Sequence, residues 1–445
     1  MDEARIELEE QLLERLKERL NLSQSSEVKE SVILNAFSEF CASLGDKGCK
    51  GNAKFLGDEK SKKEFLAGFQ SYGLINSLLD DPEVEDIIIN GTGPIYTHRQ
   101  SEGLTETGKR FSGARELDIL IKKILTFADK SKLNKINNVD LPGMAGRVNI
   151  VYSPLGSELT ITKIKTNPLS IIDLIEKGAL TAEMAAQLWL YIEGLGVRPA
   201  NILVSGGPGS GKTTLLNALL SFIPSDQHIV VIEDTLELLT GWIGNVSRLE
   251  SDVDLSLADL VKNSLRMRPE RIIVGEVRGS EAADMITAMN IGKYCMATIH
   301  ASTVRETILR LQNNPMNVPE VLISLIDVFI VMRKINTGNG VLRVVEELAE
   351  SAGLEQKTVL VSPLWRFDSA SRKLNKLDPS TVYRDKLSRA SGLNGKQVMD
   401  ETAKRSDFLD KLRAAGIRPI KEVSSYCELY IHNPKDAVAG LNRKT

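Results

Sequence analysis

A glycine-rich segment followed by a lysine and a threonine carries the residue types that bind phosphate. Residues 206–213 fit the pattern G-x-x-x-x-G-K-[ST], in which backbone N–H groups and a helix N-terminus hold an anionic phosphate. Lys212 is expected to reach the β and γ phosphates, and the hydroxyl of Thr213 to bind Mg²⁺. The candidate nucleotide-binding residues of this segment are Gly206, Gly207, Pro208, Gly209, Ser210, Gly211, Lys212, Thr213 and Thr214. They predict a nucleotide site and leave open whether the nucleotide is a fuel, a switch or a substrate.

Charged residues follow three short apolar runs, at residues 228–232, 271–274 and 295–299. These residues are Glu233, Asp234 and Glu237 after the first run, Glu276 and Arg278 after the second, and His300 after the third. ATP hydrolysis uses such groups, since one carboxylate activates water, another helps to hold Mg²⁺, and cations neutralise charge on the γ-phosphate. An acidic residue at a strand end is often only a helix cap, but the combination with the glycine-rich segment favours a catalytic site.

The elements that position these residues alternate between short apolar strands and helices over residues 167–340. A helix should follow the glycine-rich segment and end at Pro224, and another is predicted at 256–267, with Ser256 as its N-cap and Asp259 three residues on. Such alternation predicts an α/β fold with a mostly parallel sheet, whose ligands bind at the carboxyl ends of the strands.

The chain divides into four regions by pattern. We expect a helical N-terminal region and linker at 1–70, an α+β domain at 71–166, a P-loop domain at 167–340 and a mainly helical C-terminal region at 341–445. In the second region Gly143 and Gly146 predict a tight, exposed loop around Arg147. An exposed arginine is usually only solvated, so Arg147 by itself is a weak candidate for a phosphate contact.

Composition sets broad limits on location and partners. The chain has 445 residues, 42% of them hydrophobic, and its formal net charge of −3 argues neither for nor against a nucleic-acid partner. No apolar run approaches the ~18 residues of a membrane span, and the acidic N-terminus lacks the apolar core of a secretory signal. The four cysteines are too scattered for a disulfide framework and include no C-x₂-C pair for zinc. We therefore expect a cytoplasmic protein, and binding at a membrane surface stays open.

In combination the motifs resemble those of the secretion ATPase superfamily of type II secretion, type IV secretion and type IV pili, which includes archaeal pilus-assembly and archaellum motors. The resemblance covers roughly residues 74–350. It lies in GGPGSGKTT for the Walker A motif, VVIEDTLEL for the Asp box, LRMRPERIIVGEVRG for the Walker B motif and ATIHAST for the His box. It implies a RecA-like P-loop NTPase motor domain, preceded by an α+β domain and followed here by a helical C-terminal appendage.

The same resemblance implies a role for several of the charged residues. Glu237 would be the general base, and Glu276, in a Gly-Glu pair that replaces the usual aspartate, would organise Mg²⁺ and water. His300 would sense the γ-phosphate, and Arg147 is similar to an arginine that contacts nucleotide from the N-terminal domain. We add Glu233, Asp234 and Arg278 as candidate nucleotide-binding residues.

As a function, the resemblance implies a Mg²⁺-dependent ATPase that works as a homo-hexamer. It would move pilin-like or secreted protein subunits through a polytopic membrane platform protein, at the cytoplasmic face of the membrane, and no nucleic acid is expected as a partner. Two alternatives remain, namely a traffic ATPase that moves DNA or effector proteins, and an assembly scaffold that nucleotide locks without hydrolysis.

Two positions depart from the family pattern. Lys293 follows Gly292 where the family often has a second histidine, and Thr162 stands where a phosphate-binding arginine is often found. Either Lys163, next in the chain, compensates for the missing arginine, or the nucleotide is held less tightly. The chain also lacks the zinc-binding tetracysteine module of bacterial type II secretion ATPases, which favours an archaeal-type member.

Overall fold

The computed structural model divides the chain into two compact units. The first spans Met1–Thr166 and the second Asn167–Thr445. The residues that the structure describes are 3–17, 19–20, 24, 26–48, 58–99, 102–130, 134–141, 146–154, 156–163, 168–252, 254–337, 340–356 and 358–442. No helix in these ranges is both long and apolar enough to span a bilayer.

The first unit combines helices with an antiparallel sheet. Its helices are α1 (Glu3–Leu16), α2 (Ser26–Gly48), α3 (Glu59–Gln70), α4 (Asn76–Leu79) and α5 (Ala114–Phe127). Its strands are β1 (Val84–Asn90), β2 (Pro94–Arg99), β3 (Gly103–Arg110), β4 (Ile136–Asp140), β5 (Gly146–Ser153) and β6 (Gly156–Lys163). They form one sheet in the order β3-β2-β1-β6-β5-β4, in which all neighbours are antiparallel.

Two apolar clusters hold the first unit together. The larger one packs the apolar face of α5, including Leu117 and Ile124, against sheet residues such as Ile87 and Ile161. A second cluster joins α1, α2 and α3. Helix α1 also contacts α5 through a buried ion pair, in which Lys123 Nζ lies 2.6 Å from a Glu9 carboxylate oxygen. In the region predicted to hold helices and a linker, α2 ends at Gly48 and α3 begins at Glu59, and positions 49–57 between them lie outside the described residues.

Arg147 lies in a strand, so the prediction that it occupies a loop was wrong. It is the second residue of β5, where it pairs with Thr162 of β6 on one side and Asp140 of β4 on the other. The strand begins at Gly146 because the antiparallel pairing with β6 extends to that residue. Residues 142–145, which include Gly143, lie outside the described residues.

The second unit is an α/β domain built on one sheet, as the alternation of strands and helices predicted. Its strands are β7 (Ile202–Gly206), β8 (Ile229–Glu233), β9 (Val246–Glu250), β10 (Arg271–Val277), β11 (Tyr294–Ile299), β12 (Val328–Thr337), β13 (Gly340–Glu355), β14 (Thr358–Asp368) and β15 (Lys373–Lys376). Its helices are α6 (Ile171–Glu176), α7 (Ala182–Glu193), α8 (Lys212–Leu219), α9 (Leu257–Ser264), α10 (Glu281–Asn290), α11 (Val304–Gln312), α12 (Glu320–Ile323), α13 (Val382–Ser391), α14 (Gly395–Ala414), α15 (Ile420–His432) and α16 (Pro434–Asn442).

The strand order determines where the functional segments meet. The strands lie in the order β15-β14-β13-β12-β7-β11-β10-β8-β9, and β12 to β9 are parallel neighbours while β12 to β15 are antiparallel ones. Parallel strands bring their carboxyl ends to one edge of a sheet. The segments that follow β7, β8, β10 and β11 therefore meet at the same edge, where the predicted site residues stand.

Helices cover both faces of this sheet. One apolar cluster contains α6, α7, α8 and α13 to α16 together with inward strand residues such as Val204. The other contains α9 to α12 together with residues of opposite orientation such as Leu203. The capping box predicted for α9 is confirmed, since Ser256 and Asp259 cap one another's backbone N–H groups. Helix α8 is shorter than expected and passes into a 3₁₀ turn over Leu220–Phe222 before Pro224.

The C-terminal helices pack on the same core as the helix that follows the glycine-rich segment. Trp189 of α7 is fully buried and stacks on Phe222 at a centroid distance of 5.3 Å, while Tyr430 of α15 lies 5.2 Å away on centroids. The guanidinium of Arg405, on α14, lies 4.7 Å from the Trp189 ring centroid. Aromatic and cation–π contacts of this kind add to the stabilisation from apolar burial.

The sheet continues past residue 340, where we had expected a domain boundary. Strand β12 pairs with β13 along its whole length, so a boundary there would divide an antiparallel hairpin. Glu350 on β13 is fully buried and accepts hydrogen bonds from Tyr191 Oη at 2.6 Å and from the Tyr383 backbone N–H at 3.2 Å. Strands β13 to β15 and the C-terminal helices thus share one core with the P-loop strand.

Candidate nucleotide site

The glycine-rich loop joins β7 to α8 and needs glycine at three positions. Gly209 and Gly211 have φ of 64° and 96°, in the left-handed region that side chains disfavour. Gly206 is required for space, because a Cβ there would lie 2.4 Å from Ser210 Oγ and 2.6 Å from the Met332 carbonyl oxygen. The loop is therefore a closely packed backbone cradle of the kind that binds phosphate.

Lys212 places its ammonium group inside this loop. Its Nζ donates to the carbonyl oxygens of Gly206 at 3.0 Å and Gly207 at 3.3 Å, and it lies 3.2 Å from His300 Nδ1. Burial lowers the pKa of Lys212 below its ordinary value. The negative charge of Glu276 opposes this shift, whereas the positive charge of Arg278 adds to it. The side chain of Thr213 in the first turn of α8 is partly exposed, and that of Thr214 is exposed.

His300 connects the loop lysine to the carboxylate at the end of β10. An ammonium group can only donate, so Nδ1 of His300 accepts from Lys212 and Nε2 carries the proton. Nε2 lies 2.8 Å from Glu276 Oε1. The structure thus brings together three residues that the sequence placed at the ends of β7, β10 and β11.

Glu276 lies between the guanidinium of Arg278 and the imidazole of His300. Arg278 Nη2 donates to Glu276 Oε2 at 2.8 Å, opposite the His300 contact. Burial raises the pKa of Glu276, but the hydrogen bond from Arg278 and the charges of Arg278 and Lys212 outweigh this effect, so the pKa lies below its ordinary value. The group is therefore a stable carboxylate at neutral pH.

Arg278 extends the chain of contacts to the end of β8. Its Nη1 lies 3.6 Å from Asp234 Oδ2, and the hydrogen bond to Glu276 raises the pKa of the guanidinium further. Asp234 also accepts a hydrogen bond from Ser251 Oγ at 2.8 Å. Lys212, His300, Glu276, Arg278 and Asp234 thus form one continuous polar chain along the carboxyl edge of the sheet.

Glu233 supports the loop that carries Glu237. We expected it to contact nucleotide, but its side chain is buried and its Oε1 accepts from the backbone N–H groups of Glu237 at 3.0 Å and Leu238 at 2.9 Å. Arg248 of β9 lies 3.5 Å from its other oxygen. Asn217 of α8 accepts from the Leu239 N–H at 2.9 Å, which fixes the far end of the same loop. Glu237 itself is partly exposed.

The residues present fit a magnesium nucleotide. Mg²⁺ binds oxygen ligands and usually keeps several waters and substrate phosphate oxygens, so a threonine hydroxyl and one carboxylate suffice from the protein. Thr213 and Glu276 are the residues that would supply them, beside the Gly206 cradle that a Cβ would fill. Over the described ranges, no group of three or more His, Cys, Asp and Glu residues forms a metal site by itself.

The remaining predicted residues lie elsewhere. Arg147 is in the first unit, and so are Thr162, which departs from the family pattern, and Lys163, which follows it. Thr162 Oγ1 donates to Asp86 at 2.7 Å, and Lys163 Nζ donates to the Asp81 carbonyl oxygen at 2.6 Å. Lys293 follows α10 and is partly exposed. The contacts seen for Thr162 and Lys163 are thus internal to the first unit.

Sequence reasoning missed the cations that β12 and β13 bring to the loop. Arg343 Nε donates to the Gly209 carbonyl oxygen at 2.9 Å. A Cβ on Gly209 would lie 4.0 Å from Lys334 Nζ. Neither residue belongs to a motif, and the only sequence signal is that basic residues follow the apolar run of β12 and recur in β13.

Comparisons with known proteins agree with these motifs. The family described as "Type II/IV secretion system protein" matches residues 136–359. An uncharacterized protein of Methanocaldococcus jannaschii is 39% identical over 234 residues, which are 49% of this chain and 32% of that protein, so the chain spans about a third of its length. A probable conjugal transfer protein TrbB of Sinorhizobium fredii is 31% identical over 241 residues, which are 53% of this chain and 72% of that protein.

One solved structure similar to this chain is the VirB11 ATPase from the Brucella suis type IV secretion system in complex with sulphate. It is 26% identical, and the match covers 62% of this chain and 92% of that chain with a TM-score of 0.33.

Proposed function

Because the chain belongs to the type II/IV secretion system protein family, we propose that it is a motor that hydrolyses ATP to assemble or secrete pilin-like protein subunits. The observation that carries this proposal is the polar chain of Lys212, His300, Glu276, Arg278 and Asp234 beside the phosphate loop. Four strand ends contribute to it, and each group has a use in phosphoryl transfer to water.

In this proposal each side chain has one task in hydrolysis. Lys212 binds the β and γ phosphates, and His300, whose Nε2 lies 2.8 Å from Glu276 Oε1, reports the terminal phosphate to Glu276. Glu237 accepts the proton of the attacking water. Thr213 and Glu276 are the residues that would hold Mg²⁺, whose charge would offset the negative charge on the phosphate groups.

We further propose a homo-hexamer that acts at the cytoplasmic face of a membrane, against a polytopic platform protein, and an archaeal type of system. Arg147 of the first unit would contact nucleotide, so that turnover depends on the position of that unit. Family membership and the similarity to the Methanocaldococcus jannaschii protein support this part of the proposal.

A second candidate is a traffic ATPase that moves DNA or effector proteins. The similarity to conjugal transfer proteins, such as the Sinorhizobium fredii TrbB, favours it. Turnover that rises when single- or double-stranded DNA is added would support this candidate, and turnover that DNA leaves unchanged would support the pilin-like cargo.

The direct test is phosphate release by the purified full chain with Mg²⁺-ATP, beside a Glu237→Gln variant. We expect turnover in the native protein and a loss of about 100-fold or more in the variant, which should still bind a fluorescent ATP analogue. Nucleotide binding without turnover in either protein would contradict a hydrolytic motor and favour the nucleotide-locked scaffold. Glu355→Gln, a carboxylate of the same type at the far end of β13, is the matched control and should turn over like the native protein.

A further inference from the structure

We propose that Lys334 and Arg343 form a second cationic group that binds the phosphate chain of the nucleotide, in addition to Lys212. The proposal rests on the function above, since its ligand is the nucleotide at the phosphate loop. It concerns two residues on β12 and β13, an antiparallel ribbon at the border of the loop.

The first argument is the register of the ribbon. Lys334 and Arg343 are direct cross-strand partners, and like charges that face each other on a sheet repel. Neighbouring cations of this part of the sheet are neutralised, because Arg333 pairs with Glu346 and Arg366 pairs with Glu347. Within the described ranges, neither Lys334 nor Arg343 forms an ion pair with a carboxylate.

The second argument is the position of the pair against the loop. Arg343 donates from Nε to the Gly209 carbonyl oxygen at 2.9 Å, and its Cδ lies 3.6 Å from where a Cβ on Gly211 would stand. Lys334 Nζ is 4.0 Å from the equivalent position on Gly209. Both cations thus adjoin the two left-handed glycines that shape the loop.

The third argument is the sum of charge. The ammonium of Lys212 and the positive N-terminal end of α8 lie at the same loop, so three cations and a helix terminus converge there. An anion with several oxygens removes the repulsion between them. Arg343 uses only Nε for the Gly209 carbonyl, and its two terminal NH₂ groups are the donors suited to phosphate oxygens.

The experiment uses the full chain and four single variants, Lys334→Gln, Arg343→Gln, Arg333→Gln and Lys212→Ala. A fluorescent ATP analogue is titrated into each protein, and inorganic triphosphate is then used to displace it. We expect Lys334→Gln and Arg343→Gln each to weaken both ligands about tenfold, the loss of one charge-assisted contact. Arg333→Gln removes a charge from the neighbouring residue that Glu346 already neutralises, and it should stay within about twofold of the native protein.

Several outcomes would overturn the cation pair. If Lys212→Ala abolishes binding but Lys334→Gln binds like the native protein, the nucleotide site is confirmed and the role of the cation pair is contradicted. Equal weakening by Arg333→Gln would reduce the effect to net charge. Weaker binding of the ATP analogue with unchanged binding of triphosphate would place the pair at the base or ribose. Weaker binding in Arg343→Gln alone would make Arg343 a positioning residue for Gly209.

A different outcome would remove the premise. If the native protein binds neither the ATP analogue nor triphosphate, the proposed function fails, and the pair loses its ligand with it. The two failures are therefore distinguishable in one set of titrations.

Discussion

Gly275 precedes Glu276 because a side chain at that position would collide with its neighbour on β8. A Cβ on Gly275 would lie 2.8 Å from Cγ of Glu233, closer than carbon atoms approach without displacement. Glu233 in turn holds the backbone N–H of Glu237. The Gly-Glu pair thus allows β8 and β10 to approach closely enough to support the loop of the proposed general base.

We predict that Gly275→Ala separates hydrolysis from binding. The new methyl group displaces Glu233 and with it Glu237, so kcat should fall about tenfold or more, since small displacements of reacting groups cost rate. Affinity for a fluorescent ATP analogue should change less than about threefold, because the phosphate loop is untouched. Gly241→Ala is the control, since no heavy atom lies within 4 Å of its added Cβ. Unchanged turnover in Gly275→Ala would contradict the packing argument.

The carboxylate of Glu276 predicts a pH dependence of stability. Its pKa in the folded protein lies below the ordinary 4.5, so the unfolded chain takes up the proton first as the pH falls. Its contribution to stability is therefore present above pH 4.5 and is lost as the pH falls through the folded pKa. Urea unfolding should show Glu276→Gln less stable than native at pH 7 by up to about 1 kcal/mol, with a smaller difference at lower pH.

A double-mutant cycle checks the cause of this shift. Burial alone would raise the pKa, and the hydrogen bond from Arg278 is the largest of the effects that lower it. In an Arg278→Gln background the pH dependence of the Glu276→Gln difference should therefore become weaker. A dependence that stays the same in that background would show that Arg278 is not its source.

The residue types in the sequence allowed much of the site to be predicted. The remaining features depend on contacts that only the folded structure shows. Lys212, Glu276 and His300 follow apolar strands, and parallel strands bring such residues to one edge, so their meeting was predictable. The support given by Glu233 was not, because a carboxylate that holds two backbone N–H groups has the same sequence pattern as one that contacts nucleotide. Lys334 and Arg343 depend on the register of a hairpin that no motif marks.

Among the elements, α9 shows how a short sequence pattern determines a helix start. Ser256 accepts from the Asp259 N–H, and Asp259 accepts from the Ser256 N–H. This helix carries buried Leu260 and Val261 against the sheet on the side of α10. The cap thus fixes where one layer of the second unit begins.

We predict that Ser256→Ala lowers the free energy of unfolding by about 1 kcal/mol, the usual value of an N-cap hydrogen bond. Ser280→Ala is the matched control, since Ser280 is the N-cap of α10 but its side chain makes no capping hydrogen bond. This variant should change the free energy of unfolding by only a few tenths of the Ser256→Ala effect. Equilibrium urea unfolding of the two variants checks this. Equal losses would show that the capping bond is not what stabilises the start of α9.

The elements themselves were predictable where their apolar residues are contiguous. Strands β8, β10 and β11 contain the three buried apolar runs and were expected. Strand β9 was missed because its residues are partly exposed and polar residues dominate it. Arg147 was assigned to a loop since two nearby glycines usually mark a turn, whereas the pairing with β6 extends the strand to Gly146.

At the scale of the whole molecule, each unit has its own apolar clusters. The second unit's clusters draw on β13, β14 and the C-terminal helices, among them Leu348, Trp365 and Phe408. A chain that ends at residue 340 would lose these and leave β12 as an unpaired edge. The expected division into a motor domain and a later helical region is therefore a division of sequence pattern and not of packing.

We predict that residues 167–445 fold alone whereas residues 167–340 do not. The longer fragment keeps both clusters, and it should unfold cooperatively in urea and bind a fluorescent ATP analogue. The shorter one should be insoluble or should bind a hydrophobic dye without a cooperative transition, as expected for a chain with exposed core surface. Cooperative unfolding of residues 167–340 at the same urea midpoint would contradict this interpretation of the core.

The location of the tryptophans gives the protein a natural spectroscopic label. The chain has three, Trp189, Trp242 and Trp365, and all belong to the second unit. Tryptophan emission on excitation near the red edge of the protein absorption band therefore reports that unit alone, while far-ultraviolet circular dichroism reports both. Superimposable denaturation curves from the two signals would mean that the units melt together, and separated curves would mean that each melts by itself.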